Sequence, residues 1–427
     1  MSFTASIHQN PYLADGATDV HAIVSVTAGQ DIQAAATATE RCVVFMIDDS
    51  GSMADPMSKI HAARAALSTA IEVLPDGVRF AIVAGNHRAS VVYPRFGDDV
   101  VAADDESRAE AAELARRIEP SGGTAISTWL EQARALFDGH PDAIKLAYLL
   151  TDGKNESETP EALTEELARC TGQFQCDARG VGAKWEVDEL RRITHALLGE
   201  VDLLREPEQM QADFTAFLER AMGKALADVR LHVWSPKGAT IRSVKQVSPA
   251  IDDLTDAGQP DGELVTTFPT GSWAAGESRD YHVAIDVPPG DVGQEKLAAR
   301  IGVLVGADQV TQGLVRALWT EDHALTTRID PQVAHYTGQA ELAQAIAEGI
   351  AARKAGDHAE ATIKLGKAVK LAHESGNEGT IRILQKVVDI EDPATGTIRV
   401  KRRVDELDEM ELDTRSTRTV RTAKKEA

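Results

Sequence analysis

The run Val43-Val44-Phe45-Met46-Ile47-Asp48-Asp49-Ser50-Gly51-Ser52 passes, within ten positions, from five apolar residues to two carboxylates, two hydroxyls and a glycine. Uninterrupted apolar character is what a central parallel strand, covered on both faces, requires. A helix follows, because Ile60, Ala63, Leu67, Ala70, Ile71 and Leu74 recur three or four apart and form one face. The polar residues therefore stand where a strand hands over to a helix. In open α/β sheets that is the crevice in which ligands bind.

Working outward, Phe80–Val83 and Ser90–Tyr93 are joined by the short Asn86-His87-Arg88 connection, which suits an antiparallel edge pair. Ile144–Leu150 and Phe174–Gly182 read as further strands. Helices are predicted from near Thr124, around Leu190, Ile193 and Leu197, and over Phe214–Ala225. Short apolar runs alternating with amphipathic helices predict an α/β domain over 41–225, a doubly wound, Rossmann-like, mainly parallel sheet.

The flanks differ. Residues 1–40 contain Val20–Val26, which alternates with a period of two, and over 226–325 the sets Val229/Leu231/Val233, Tyr281/Val283/Ile285/Val287 and Ile301/Val303/Val305 do the same. An antiparallel β-sandwich is predicted there, punctuated by Pro236-Lys237-Gly238 and Pro288-Pro289-Gly290, and the strands of 1–40 are expected to join it. Residues 331–391 return to helical spacing, with Leu342, Ile346 and Ile350 on one stripe and Ala361, Leu365, Ala368 and Ala372 on another, around the turn Ala355-Gly356-Asp357. A helical hairpin or small bundle is expected, resembling one tetratricopeptide-like pair, although one repeat forms no solenoid. Residues 392–427 are charged and read as a mobile tail. Its threonines, set among arginines after the acidic run Asp405–Glu411, predict phosphorylation and a phosphothreonine-reading partner.

Asp48, Ser50 and Ser52 offer one carboxylate and two hydroxyls at alternate positions. Thr124 follows the flexible Ser121-Gly122-Gly123, and Asp152 follows the strand ending Leu149-Leu150-Thr151. Hard cations such as magnesium take oxygen ligands and keep some waters, which suits a mixture of hydroxyls and carboxylates. Helix capping explains Ser50 or Ser52 but leaves Thr124 and Asp152 unexplained. These five positions resemble the metal-ion-dependent adhesion site of the von Willebrand factor A family, an Asp-x-Ser-x-Ser run with a later Thr and Asp. The resemblance covers roughly 41–225. It implies that Ser50, Ser52 and Thr124 contact Mg2+ (or Mn2+ or Ca2+), that Asp48 and Asp152 act through water, and that a partner's acidic side chain takes the open position. It also implies an alternative, an adaptor or assembly subunit beside an ATPase of the AAA+ type.

Composition narrows the field. The 427 residues hold 45 basic and 67 acidic side chains, a net charge of −22 that repels nucleic acid and anionic membrane surfaces. No apolar run approaches the ~20 residues of a membrane span, and the start lacks a basic-then-apolar leader, so a cytoplasmic protein is expected rather than a secreted adhesin. Cys42, Cys170 and Cys176 are odd in number and read as reduced structural thiols. No enzyme motif is found: Gly180-Val181-Gly182 lacks the third glycine of a dinucleotide site, and Ser50 stands where a phosphoaspartate phosphatase needs a second Asp. The phosphate-binding Gly-x4-Gly-Lys-Ser/Thr, Gly-x-Ser-x-Gly and His-Glu-x-x-His are all absent. His61, His87 and His195 are isolated. A binding protein, not an enzyme, is expected.

Overall fold

In the computed structural model, which describes residues 2–33 and 39–421, the strand Arg41–Asp48 lies inside a sheet with neighbours on both sides. It pairs in parallel with Arg79–Gly85 on one side and Ile144–Thr151 on the other. Gln175–Val181 and Val201–Leu204 extend the parallel sheet beyond Ile144–Thr151, while Ala89–Tyr93 closes the opposite edge antiparallel to Arg79–Gly85. The chain leaves Arg41–Asp48 toward one edge and resumes on the other side at Ile144–Thr151. The carboxyl ends of these two strands therefore bracket the topological switch point.

Alternation along the central strand assigns its faces. Val43, Phe45 and Ile47 share a core with Ile60 and Leu67 of helix Ser58–Glu72, Ala111 of Asp105–Ala115, and Phe214 of Met210–Gly223. Cys42, Val44 and Met46 are equally buried on the other face, against which helix Ile126–Phe137 packs. Helices Pro160–Cys170 and Val187–Ala196 complete the covering. Under the sheet Arg179 donates to both oxygens of Asp213, at 3.1 and 2.9 Å, and the Tyr148 hydroxyl donates to the same carboxylate at 2.6 Å. These elements belong to one compact unit, Gln33–Ala227 with Gly271–Ala274.

The remaining described residues form a second unit, built on two sheets that are antiparallel except where Tyr12–Leu13 pairs in parallel at one edge. Asp19–Ala28 pairs with both Phe3–Gln9 and Ser278–Asp286, and Thr240–Ser248 continues that sheet. Val229–Trp234 is flanked by Val265–Pro269 and Glu295–Val305 in the other, where Asp308–Trp319 pairs next. Helix Pro331–Lys354 packs against the first of these sheets and against His358–Glu374.

The tail from 392 is not mobile where it is described. Val388–Asp392 and Thr397–Val400 form a hairpin, and the acidic run initiates helix Glu406–Arg415 with Asp405 as its cap. Carboxylates in a first turn suit the helix dipole, and Glu411 is held by Lys386 at 2.7 Å and Arg415 at 2.6 Å. Two of the threonines read as phosphorylation sites are engaged: Thr414 is buried, and the Thr419 hydroxyl donates to the Val247 carbonyl at 2.7 Å. Thr422 lies outside the described residues. Charge pattern alone misread this segment because its buried apolar residues, Met410 and Leu412, are few and Glu411 also pairs with Lys386 of a distant helix.

Asp280 anchors the tail's end. Arg421 forks onto its carboxylate at 2.6 and 2.9 Å, and the Tyr336 hydroxyl donates to it as well. Burial pushes the Asp280 carboxyl upward, but the hydrogen bonds from Arg421, Ser25 and Tyr336 outweigh it and hold the group below its usual value.

Two outcomes are expected. Gly85 has no room for a side chain, since a Cβ there would lie 2.3 Å from the Trp129 indole. Gly85→Ala should cost ~1–3 kcal/mol in urea unfolding; an unchanged midpoint would refute this packing. Arg421→Ala should cost ~1–2 kcal/mol at pH 7, discounted because the arginine is partly exposed. A carboxylate with a depressed folded pKa stabilises above its unfolded value of about 3.9 and loses that stabilisation as pH falls through the folded one. The gap between wild type and Arg421→Ala should therefore close below about pH 4, and a constant gap would exclude Asp280 as the partner that matters.

Candidate metal centre

The five residues singled out in the sequence come from three loops at the carboxyl end of the sheet, and backbone hydrogen bonds lace these loops together. Gly51 N donates to the Gly122 carbonyl at 2.9 Å, and Ser121 N donates back to the Asp49 carbonyl at 2.6 Å. Ser157 N donates to the Thr124 carbonyl at 2.9 Å, while the Ser157 hydroxyl accepts from Thr124 N at 3.1 Å. Asn155 and Glu158 tie the same loop to the start of helix Ile126–Phe137. Gly122 takes a left-handed φ of +76° with His87 packed where a Cβ would stand, which the flexible glycine run allows.

Within this frame the side chains converge. The Ser50 and Ser52 hydroxyls are 2.9 Å apart, and Ser52 Oγ donates to Asp152 Oδ1 at 2.5 Å, although the two residues are 100 positions apart. Asp48 Oδ1 accepts from Ser50 N at 2.7 Å, and its Oδ2 accepts from the Thr151 hydroxyl at 2.6 Å. Thr124 borders the same space: a Cβ added to Gly153 would lie 3.1 Å from Ser52 Oγ and 3.4 Å from Thr124 Oγ1. Gly153 is thus the residue that leaves room between the two hydroxyls. Asp48, Ser50, Thr124 and Asp152 are buried, while Gly51, Ser121 and Gly122 at the rim are exposed, so the cluster opens at the surface.

Electrostatics at the cluster are unsettled in one respect. Burial pushes the Asp48 carboxyl up to about 6, with the charge of Asp152 adding to it against hydrogen bonds from Ser50 and Thr151. Asp49 is likewise raised to about 6, by burial first and then by the charge of Asp48, and its Oδ1 is buried without a hydrogen-bond partner. Several acids compete to stay ionised in little water. A divalent cation beside them removes that conflict, and an all-oxygen set of hydroxyls and carboxylates matches magnesium, manganese or calcium better than softer metals. The donor set fits such an ion.

The sequence reading passed over one residue. Lys59, on helix Ser58–Glu72, is buried and places Nζ 2.5 Å from Asp152 Oδ2. Its signal was available: Lys59 stands four residues before Ala63 and hence on the helix's buried stripe, where an unpaired lysine is not tolerated.

The comparisons with known proteins fall on the same elements. A family model described as von Willebrand factor type A domain matches residues 41–202, and one described as von Willebrand factor type A C-terminal domain matches 370–416. The structure of a von Willebrand factor type A protein from Catenulispora acidiphila is 48% identical, covers 99% of this chain and 97% of its own, and superposes with a TM-score of 0.93. The ArnB paralog VWA2 from Sulfolobus acidocaldarius, 15% identical over 98% of both chains with a TM-score of 0.57, shares the fold. Human von Willebrand factor A domain-containing protein 5A is 25% identical over 48% of this chain, which spans about a quarter of that relative's length (26%). Similarity along nearly the whole length at 48% identity, with a family model lying across the strands that carry Asp48, Ser50, Ser52, Thr124 and Asp152, shows that the chain belongs to the von Willebrand factor type A family.

Proposed function

We propose that this protein binds a partner protein through a divalent cation, Mg2+ before Mn2+ or Ca2+, held at the carboxyl end of its parallel sheet. The observation that carries the reading is the chain of contacts from Ser50 Oγ through Ser52 Oγ to Asp152 Oδ1, which joins two loops 100 residues apart around one surface opening. Ser50, Ser52 and Thr124 are the direct ligands, and Asp48 and Asp152 hold water-mediated positions. When bound, the cation supplies a Lewis-acidic centre that attracts an acidic side chain of the partner. The backbone bonds between the loops keep the hydroxyls in place, so little ordering is needed when the partner arrives. Binding rather than catalysis is the role, since Lys59 is turned to Asp152 and not held as a base on either hydroxyl. The alternative, an adaptor or assembly subunit beside an AAA+ type ATPase, uses the same site with an ATPase as partner. Among the described residues no helix is long and apolar enough to cross a membrane.

Melting of wild type and Ser50→Ala with and without magnesium tests the site. A ligand at 100 times its Kd adds about 2.7 kcal/mol to the folded state, so wild type should melt higher with magnesium and Ser50→Ala should not. Equal shifts, or none in either, would remove the site. Pull-down from the native host in magnesium and in chelator tests the partner. Wild type should capture a protein that chelator and Ser50→Ala both release, an ATPase in that fraction favouring the adaptor reading. Capture indifferent to chelator would overturn cation-dependent binding.

Lys59 gives a separate expectation. Its ammonium neutralises Asp152 when no cation is present, so metal and lysine compete for the same negative charge. Lys59→Met should lower metal-free stability, because it strands a buried carboxylate, yet tighten magnesium binding by ~3–10-fold, about 0.7–1.4 kcal/mol. Weaker magnesium binding in isothermal calorimetry would show that Lys59 supports the site rather than competing with it.

A further inference from the structure

The strand that carries Asp48 at its carboxyl end begins with a second group of donors. Cys42 precedes Asp48 by six positions, about 20 Å along a strand rising ~3.3 Å per residue, so this group is separate from the adhesion site. Glu40 lies just outside the strand, fixed by Ile144 N, which donates to its carbonyl at 2.9 Å. Cys42 falls on the face packed by helix Ile126–Phe137, and the chain leaving that helix returns with His140 beside it. Ligand atoms of Glu40, Cys42 and His140 all lie within 4.8 Å of one another.

Three observations favour a metal. His140 Nδ1 is 3.1 Å from Glu40 Oε2, while its Nε2 is 2.7 Å from Asp99 Oδ1. A ligating histidine is ordinarily oriented by a carboxylate on its other nitrogen, and Asp99 occupies that position. The Cys42 thiol is fully buried and, among the described residues, makes no hydrogen bond. A histidinium bridging two carboxylates accounts for Glu40, Asp99 and His140, but it gives the thiol no part. Tetrahedral zinc bonds of ~2.0 Å to N or O and ~2.3 Å to S place ligand atoms roughly 3.3–3.6 Å apart. The Glu40–His140 separation is already close to this, and the thiol needs only about an ångström of closure.

Charge agrees. Burial and then the charge of Glu40 push the Cys42 thiol up to about 12, so it ionises only as a metal binds; once it has, Glu40, Asp99 and the thiolate outnumber Arg79, whose Nε is 2.5 Å from Glu40 Oε1, and Lys145 on the adjoining strand. We infer that Glu40, Cys42 and His140 form a site for zinc or another borderline divalent cation, with Asp99 orienting His140 and water in the fourth position. Sulfur and nitrogen donors select such an ion over magnesium. On binding, the Cys42 proton passes to solvent and a metal–thiolate bond forms, with no change of oxidation state.

Cobalt(II) titration of the full-length protein reads the thiolate directly, through its charge-transfer absorption, and zinc should displace it stoichiometrically. Wild type and Ser50→Ala should both show the band, whereas Cys42→Ser and His140→Gln should lose it or weaken zinc binding at least tenfold against a chromogenic chelator. Asp99→Asn should keep the band and weaken zinc by ~10–100-fold. His140 is in the loop after helix Ile126–Phe137 rather than in a strand, so His140→Gln tests the site even if Cys42→Ser folds poorly. No thiolate band in wild type, or a band unchanged in His140→Gln, would overturn the proposal. Loss of the band in Ser50→Ala would make it depend on the adhesion site, which offers no thiol, and would overturn the proposal as well.

Discussion

A carboxylate with no exposure to solvent needs a compensating charge or a full set of hydrogen bonds, because leaving it bare costs several kcal/mol. Asp152 meets that demand with a hydroxyl from Ser52 and an ammonium from Lys59. The two contacts bind the exit of one central strand to the loop leaving its neighbour and to the first turn of the following helix. Two opposite unit charges at about 4 Å interact by ~4 kcal/mol at an effective dielectric of 20, so Asp152 fixes the relative placement of all three segments. Thr124 enters the same arrangement through Ser157 and the backbone of its own loop.

This division of labour separates folding from binding. The core beneath is aliphatic and aromatic, with Phe45, Tyr148, Phe214 and Phe217 in ring contact. The cluster sits above it on loops joined by main-chain bonds, which do not depend on which side chain a residue carries. A hydroxyl can therefore be removed without opening a core cavity, whereas Gly85, which admits Trp129 beneath the loops, cannot accept even a methyl group.

Much of this was legible in the sequence. The apolar run 43–47 fixed the central strand, and strand context at Asp48 and Asp152 fixed the end of the sheet at which they meet. Alternation of Val20–Val26 showed a strand but not its partner; pairing with Ser278–Asp286, more than 250 residues away, is a long-range contact that local pattern does not encode. Helix Asp105–Ala115 escaped notice because its buried face is alanine, Ala111, Ala112 and Ala115, and so carries little periodic signal. The tail was misjudged for the opposite reason. Its charges looked solvated, yet Arg421 and Glu411 are spent on partners that only the fold brings near.

Lys59 shows why the net charge of −22 does not settle what the site prefers. Long-range negative potential draws any cation toward the surface, whether metal or basic protein. At the cluster itself, the nearest competitor is internal and covalently attached, so its local concentration does not fall on dilution. A metal gains only the difference between its own interaction with Asp152 and that of the ammonium it relieves. On the proposed reading, direct bonds to Ser50, Ser52 and Thr124 would supply that difference, because an ammonium cannot be coordinated by several lone pairs at close range as a divalent cation is. Selectivity for a divalent ion over a basic side chain would therefore rest on the hydroxyls, while the carboxylates, which attract both, would set how strongly any cation is held.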